Sequence, residues 1–89
     1  MGIVLDFGER RHIQFLIHSC KDENFQIADC DYELKKYGAS EPEDSGSGNV
    51  LDHMIDIVIE PKERGKYQLK VTYRIVDEIL IETVGVDVI

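Results

Sequence analysis

The amino-acid sequence predicts an all-β domain, a two-sheet antiparallel sandwich of six to seven strands. Three observations carry that prediction. Apolar residues recur with a period of two along most of the chain, as in half-buried strands. No segment of useful length shows a helical period, and clusters of turn formers separate the apolar runs. A small barrel shares these features and stays open at this point. With 89 residues the chain has room for one core, so 1–89 is expected to be a single domain. A chain this short buries only about 60–65% of its unfolded surface, which implies modest stability unless a partner adds buried area.

The opening strand is expected at Ile3, Leu5 and Phe7, whose alternation stops at Gly8. In the second, Ile13, Phe15 and Ile17 alternate with His12, Gln14, Leu16 and His18. A polar turn, Lys21-Asp22-Glu23-Asn24, leads to a third run in which Ala28, Cys30, Tyr32 and Leu34 share a face. Asp29, Asp31, Glu33 and Lys35 lie opposite. Phe25 and Ile27 are out of phase, so a bulge or the true strand start is expected near Ile27.

Periodicity disappears from Gly38 to Asn49, where the chain is small, acidic and rich in turn formers. Such a stretch buries too little apolar surface to offset its ordering cost and is expected to be a mobile loop. Val50-Leu51 can add a short strand before the run Ile55, Ile57, Ile59, which Pro61 ends because proline has no N–H for the ladder.

The last third is the most regular. Tyr67, Leu69, Val71, Tyr73 and Ile75 alternate with Lys66, Gln68, Lys70, Thr72 and Arg74. Leu80, Val84, Val86 and Val88 then alternate with Ile79, Ile81, Thr83, Gly85 and Asp87. A hairpin centred on Asp77-Glu78 sets Ile75 against Leu80, Val71 against Val84, Leu69 against Val86 and Tyr67 against Val88. Tyr73 is left facing Glu82. Asp-Glu disfavours a two-residue turn, so a four-residue loop on the same centre is expected.

Charge removes some functions. Ten Lys plus Arg against 18 Asp plus Glu give a net charge of −8, which repels both nucleic-acid phosphates and anionic lipid. Cys20 and Cys30 are too few for a disulfide scaffold and are spaced for neither a zinc pair nor a redox motif, so free thiols are expected. The opening apolar run is broken by Asp6, and no stretch approaches the ~18 apolar residues of a membrane span. The expectation is a soluble protein, cytoplasmic as synthesised. Assembly into a virion is an open route out of the cell.

One segment is more specific. Glu63-Arg64-Gly65-Lys66-Tyr67-Gln68-Leu69-Lys70-Val71 resembles the acidic-x-Gly-x-Tyr-x-Cys-x-Val entry to strand F of immunoglobulin-like domains. The resemblance implies an immunoglobulin-like sandwich with a tyrosine corner, Gly65 supplying the turn and Tyr67 pinning it through its hydroxyl. It also places strand C beside strand F. The chain departs from the family at Leu69, where the cysteine stands, and in having no tryptophan; Tyr32 is the residue available to fill the tryptophan's space. A wider cadence is Tyr32-Glu33-Leu34, then Ile-x-Ile-x-Ile-Glu-Pro over 55–61, then Gly-x-Tyr-x-Leu-x-Val-x-Tyr over 65–73. It resembles small phage- and prophage-encoded structural domains of heads, necks and tails.

Constellations that suggest chemistry have plainer readings. His12 and His18 share a strand face but stand about 20 Å apart, too far for one metal, and His53 reaches only one of them. Asp29, Asp31 and Glu33 form a ladder along one strand with no calcium-loop glycine; the neighbouring basic row Lys66, Lys70 and Arg74 is expected to face it. Glu41, Glu43 and Asp44 read as solvated loop charge. Asp6-Phe7-Gly8 spells a kinase tripeptide without the rest of a kinase. Cys30 points inward by parity and reads as a small core residue.

No catalytic, cofactor-binding or metal-binding residue is assigned. The expected function is a non-enzymatic structural or protein-interaction module of a phage-derived assembly. It would work through the outer C–F–G face, with Lys66, Lys70, Arg74 and Ile81, and through the edge strand near Ile3. Protein partners are expected, with self-association through a sheet edge or face among them, and neither nucleic acid nor membrane. The competing reading is a small-ligand or carbohydrate-binding sandwich. Such modules expose aromatics on a flat face, and only Phe25 and Tyr37 are candidates here.

Overall fold

A computed structural model describes residues 2–17, 27–75 and 78–89 of the chain. The strands are β1 (Gly2–Leu5), β2 (Arg11–Leu16), β3 (Ile27–Lys36), β4 (Asp44–Ser47), β5 (Asn49–Leu51), β6 (Met54–Ile59), β7 (Gly65–Ile75) and β8 (Glu78–Val88). They form a five-stranded sheet, β1-β8-β7-β3-β4, and a three-stranded sheet, β2-β6-β5. The fold is all-β with two sheets, and among the described residues no helix occurs.

The period-two pattern has its physical counterpart in the core. Ile55, Ile57 and Ile59 of β6 are buried together with Tyr67, Leu69, Val71 and Tyr73 of β7. Leu5, Ile13, Ile27, Cys30, Leu34, Val84, Val86 and Val88 complete the same cluster. At about 3.4 Å per residue, an eleven-residue strand spans roughly 37 Å. β7 and β8, eleven residues each, therefore run the length of a molecule whose longest extent is 40 Å.

Among the described residues three links carry the chain between sheets, after β1, between β4 and β5 and between β6 and β7, and the first two show how the crossings are held. After β1 the Glu9 carboxylate accepts the Asp6 N–H at 2.7 Å, while the Glu9 N–H donates to the Asp6 carbonyl at 3.1 Å. The chain then enters β2. The second link is Gly48, whose N–H donates to the Cys30 carbonyl at 3.1 Å as the chain passes from β4 to β5. A Cβ there would lie 2.7 Å from Cys30 Sγ, so the close crossing requires glycine.

Several sequence expectations need correction. There are eight strands among the described residues, and β1 runs parallel to β8, so the five-stranded sheet is mixed. The stretch from 38 to 49 is only partly loop, because Asp44–Ser47 pairs with β3; main-chain hydrogen bonds form a strand there with no apolar alternation to announce it. The β7–β8 register is displaced by two. Ile75 opposes Glu78, Tyr73 Leu80, Leu69 Val84, Tyr67 Val86 and Gly65 Val88. The ladder takes in every residue of β7, and the even shift keeps each side chain on its expected face. Glu82 consequently opposes Val71 rather than Tyr73.

On β3 the register slips between Ile27 and Asp29. That bulge turns Ile27 into the core and leaves Ala28 exposed, reversing the expected placement of Ala28. The other inward residues keep their face. Cys30 is buried with a free thiol, and burial pushes that thiol's pKa up, against the Gly48 hydrogen bond that lowers it. Tyr32 is only half-buried and bonds Asp44 at 3.4 Å, so Leu34 and Cys30 rather than Tyr32 fill the deep positions of β3. The expectations for His18, Cys20, the turn at 21–24 and Phe25 lie outside the described residues.

Candidate interaction surface

The outer face of the five-stranded sheet carries parallel rows of side chains fixed by register. Asp29, Asp31 and Glu33 of β3 lie beside Arg74, Thr72 and Lys70 of β7. Those in turn lie beside Ile79, Ile81 and Thr83 of β8. Alternation makes the assignment unambiguous, since the intervening residues of β7 are the buried ones. Lys66 continues the basic row and opposes Asp87. From Lys66 to Arg74 the row spans about 27 Å.

The expected meeting of acidic and basic ladders is present, but it is uneven. The Arg74 guanidinium donates to Asp29 at 2.7 Å and to Asp31 at 3.4 Å. Asp29 chiefly, and Asp31 behind it, raise the guanidinium pKa further. Among the described residues Lys66 and Lys70 form no ion pair. Lys70 instead borders a shallow depression of about 220 Å³ with Asp31, Glu33, Thr72 and Arg74. The charge on this face is thus half neutralised and half available.

Beside it stands apolar surface. Ile79 and Ile81 are 65% and 57% exposed, in the same rows as Arg74 and Thr72. On the core side of the same strand, Glu78 and Glu82 are exposed and flank half-buried Leu80. The Tyr73 hydroxyl hydrogen-bonds Glu82, and its pKa is raised, by burial first and by that carboxylate second.

The base of β7 is organised by Tyr67, which is 0% exposed. Its hydroxyl accepts the Glu63 N–H at 3.2 Å and donates to Glu43 Oε1 at 2.9 Å. The other Glu43 oxygen accepts the Lys62 N–H at 3.1 Å. Burial, then the Glu43 carboxylate, pushes the phenol up to about 12. Gly65 sits at φ +132, a conformation L side chains rarely adopt. Lys36 passes over it and pairs with Glu63 at 2.6 Å. This is local architecture: it anchors the chain entering β7 and contributes no reactive group.

The remaining candidates fall elsewhere. His12 lies on the outer face of the other sheet with Nδ1 3.1 Å from both Asp56 oxygens, and His53 Nε2 is 3.8 Å from Asp52. Asp6, Phe7 and Gly8 form the turn after β1, where Arg64 stacks 4.5 Å over the Phe7 ring. Ile3 lies on β1, a sheet edge, opposite Val86. Tyr37 is exposed. Among the described residues no group of three His, Cys, Asp or Glu side chains converges as metal ligands would. The sequence missed Glu43, whose role needs the β3–β4 connection to fold back onto β7. It also passed over Ile79-Leu80-Ile81 as a unit, although three successive apolar residues show that neither face of β8 is wholly polar there.

The chain matches no known protein family, no curated protein and no solved structure. Its functional reading therefore rests on its own sequence and geometry.

Proposed function

We propose that this chain is a non-catalytic structural and protein-interaction module of immunoglobulin-like type, working in a phage-derived assembly. Strand order supports the immunoglobulin-like part. In such domains strands B, E and D share one sheet, while G, F, C and C′ share the other. Here β2, β6 and β5 occupy the first set, and β8, β7, β3 and β4 the second. The corner at Tyr67 stands at the start of the strand equivalent to F. The phage setting is supported by the cadence of residues 32–34, 55–61 and 65–73 alone.

The observation that carries the interaction reading is the outer sheet face. Exposed Ile79 and Ile81 lie beside Arg74 and Thr72, with Lys70 one pair further along the same face, and the opposite face of β7 is locked in the core. An apolar patch rimmed by charge on a stiff support is the usual anatomy of a protein contact. The glycan-binding alternative is less well supported, because Tyr67 and Tyr73 are buried and offer no platform.

A photo-crosslinking amino acid placed at Ile81 or Lys70, and at Gln14 on the other sheet as reference, tests this in cells carrying the native assembly. Adducts to one structural protein from the first two positions, and not from Gln14, are expected. Absence of adducts at all three positions, with saturable binding of a glycan instead, would overturn it.

A further inference from the structure

We infer that the unpaired edge of β8, Glu78–Val84, is a strand-addition site for an extended segment of a partner protein in which Lys or Arg alternates with Val, Ile or Leu. The inference rests on the interaction reading above and gives it a location and a partner chemistry. β7 pairs with every residue of β8, but β1 covers only Gly85–Val88. Among the described residues no strand lies against the other side of Glu78–Val84. In an antiparallel ladder each residue turns its N–H and C=O to one side and its neighbours turn theirs to the other. Every second residue of this stretch therefore directs both groups away from β7. Seven residues span about 24 Å, enough for an ordinary strand.

Side chains select what can pair there. A strand laid along this edge sets one row of its side chains beside Ile79 and Ile81, and the other beside Glu78, Leu80 and Glu82. Apolar residues suit the first row and cations the second. A second copy of the chain is a poor occupant. It would bring another Glu78 and Glu82 onto the same row, and each chain carries a net charge of −8. Inward-pointing charges on an edge strand are a common guard against self-pairing. A basic strand turns that guard into recognition, because opposite charges across strands attract and like charges repel.

The test uses the full chain and a seven-residue peptide alternating Lys and Val, Lys at both ends. A peptide of the same composition in block order, four Lys then three Val, is the reference. The alternating peptide is expected to bind saturably and slow amide exchange at alternate residues of Glu78–Val84, with the block peptide roughly tenfold weaker. Glu78→Lys with Glu82→Lys is expected to weaken the alternating peptide roughly tenfold, and to bind a Glu-Val alternating peptide instead. That rescue also shows the variant folded. Equal binding of the block peptide, or protection confined to other strands, would overturn the edge site and leave the interaction module standing. Concentration-dependent dimerisation that itself protects these amides would overturn it in favour of a second copy. The interaction module fails separately, through the crosslinks at Ile81 and Lys70.

Discussion

β7 and β8 are neighbours of equal length, eleven residues each, and they behave differently. β7 is flanked along its length by β8 and over most of it by β3. It shows strict alternation, with its apolar residues in the core and its polar ones outside. β8 keeps that order only from Val84 onward, with β1 joining it at Gly85. Its first half exposes Ile79 and Ile81 outward and Glu78 and Glu82 on the core side. A strand enclosed on both edges has its pattern set by the core; a strand open on one edge is free to carry a pattern set by something else. That is why β7 reads as scaffold, and why the first half of β8 is the surface proposed for a partner.

The contrast breaks first at Tyr67. Tyr67→Ala should destabilise the chain by about 3–5 kcal/mol, a large part of the ~5–15 kcal/mol that holds a small domain together. Urea unfolding measures it, and a loss near zero would mean β7 is not the scaffold. Tyr67→Phe keeps the ring and strands Glu43 and the Glu63 N–H, so about 1–3 kcal/mol is expected. The same pair of proteins gives a pH test. The phenol's folded pKa is raised from 10.0 to about 12, so between those values the unfolded chain has lost a proton that the folded chain keeps. The stability advantage of the parent over Tyr67→Phe should be complete below pH 10 and shrink as pH rises towards 12. An advantage that grows in that window would contradict the buried hydroxyl.

Gly65→Ala comes next, at about 1–3 kcal/mol, because alanine cannot adopt φ +132 without strain. Its added Cβ would also meet Lys36 Cε at 3.2 Å. Chemical denaturation again reads it, and an unchanged midpoint would show the turn to be relaxed. Arg74→Ala removes an exposed pair with Asp29 and should leave the denaturation midpoint almost unchanged, with any loss falling further in high salt. Smallest of all is Ile81→Thr on the open half of β8, within about 0.5 kcal/mol. If it destabilised as much as Gly65→Ala, Ile81 would be core and the contrast between the strands would vanish.

How much of this was legible in the sequence follows from the same contrast. The β7 residues Tyr67 to Ile75 were readable because burial on one face leaves a period of two. The adjacency of Asp29 with Arg74 followed once β3 and β7 were placed side by side. β4 was hidden because Asp44–Ser47 pairs through its backbone and buries no apolar side chain. The β7–β8 register differs by two because the expected hairpin is centred on Asp77-Glu78 and alternation alone allows either alignment; Tyr73 faces Glu82 in the expected one and Leu80 in the structure. Ala28 was misplaced because a bulge at Ile27 inverts parity for one residue, and the flanking pattern does not fix on which side the slip falls. Glu43 and the edge of β8 that no described strand covers are tertiary properties: one needs a loop to return, the other needs a neighbour to stop short.

Native-state hydrogen exchange on the chain by itself, read amide by amide at low concentration, addresses the difference between the strands most directly. Slow exchange through β7, with alternate fast and slow amides over Glu78–Val84 and uniform slowness from Gly85, is the expected profile. Uniform protection across Glu78–Val84 would mean that this edge is already covered, and that β8 has no vacancy to offer a partner.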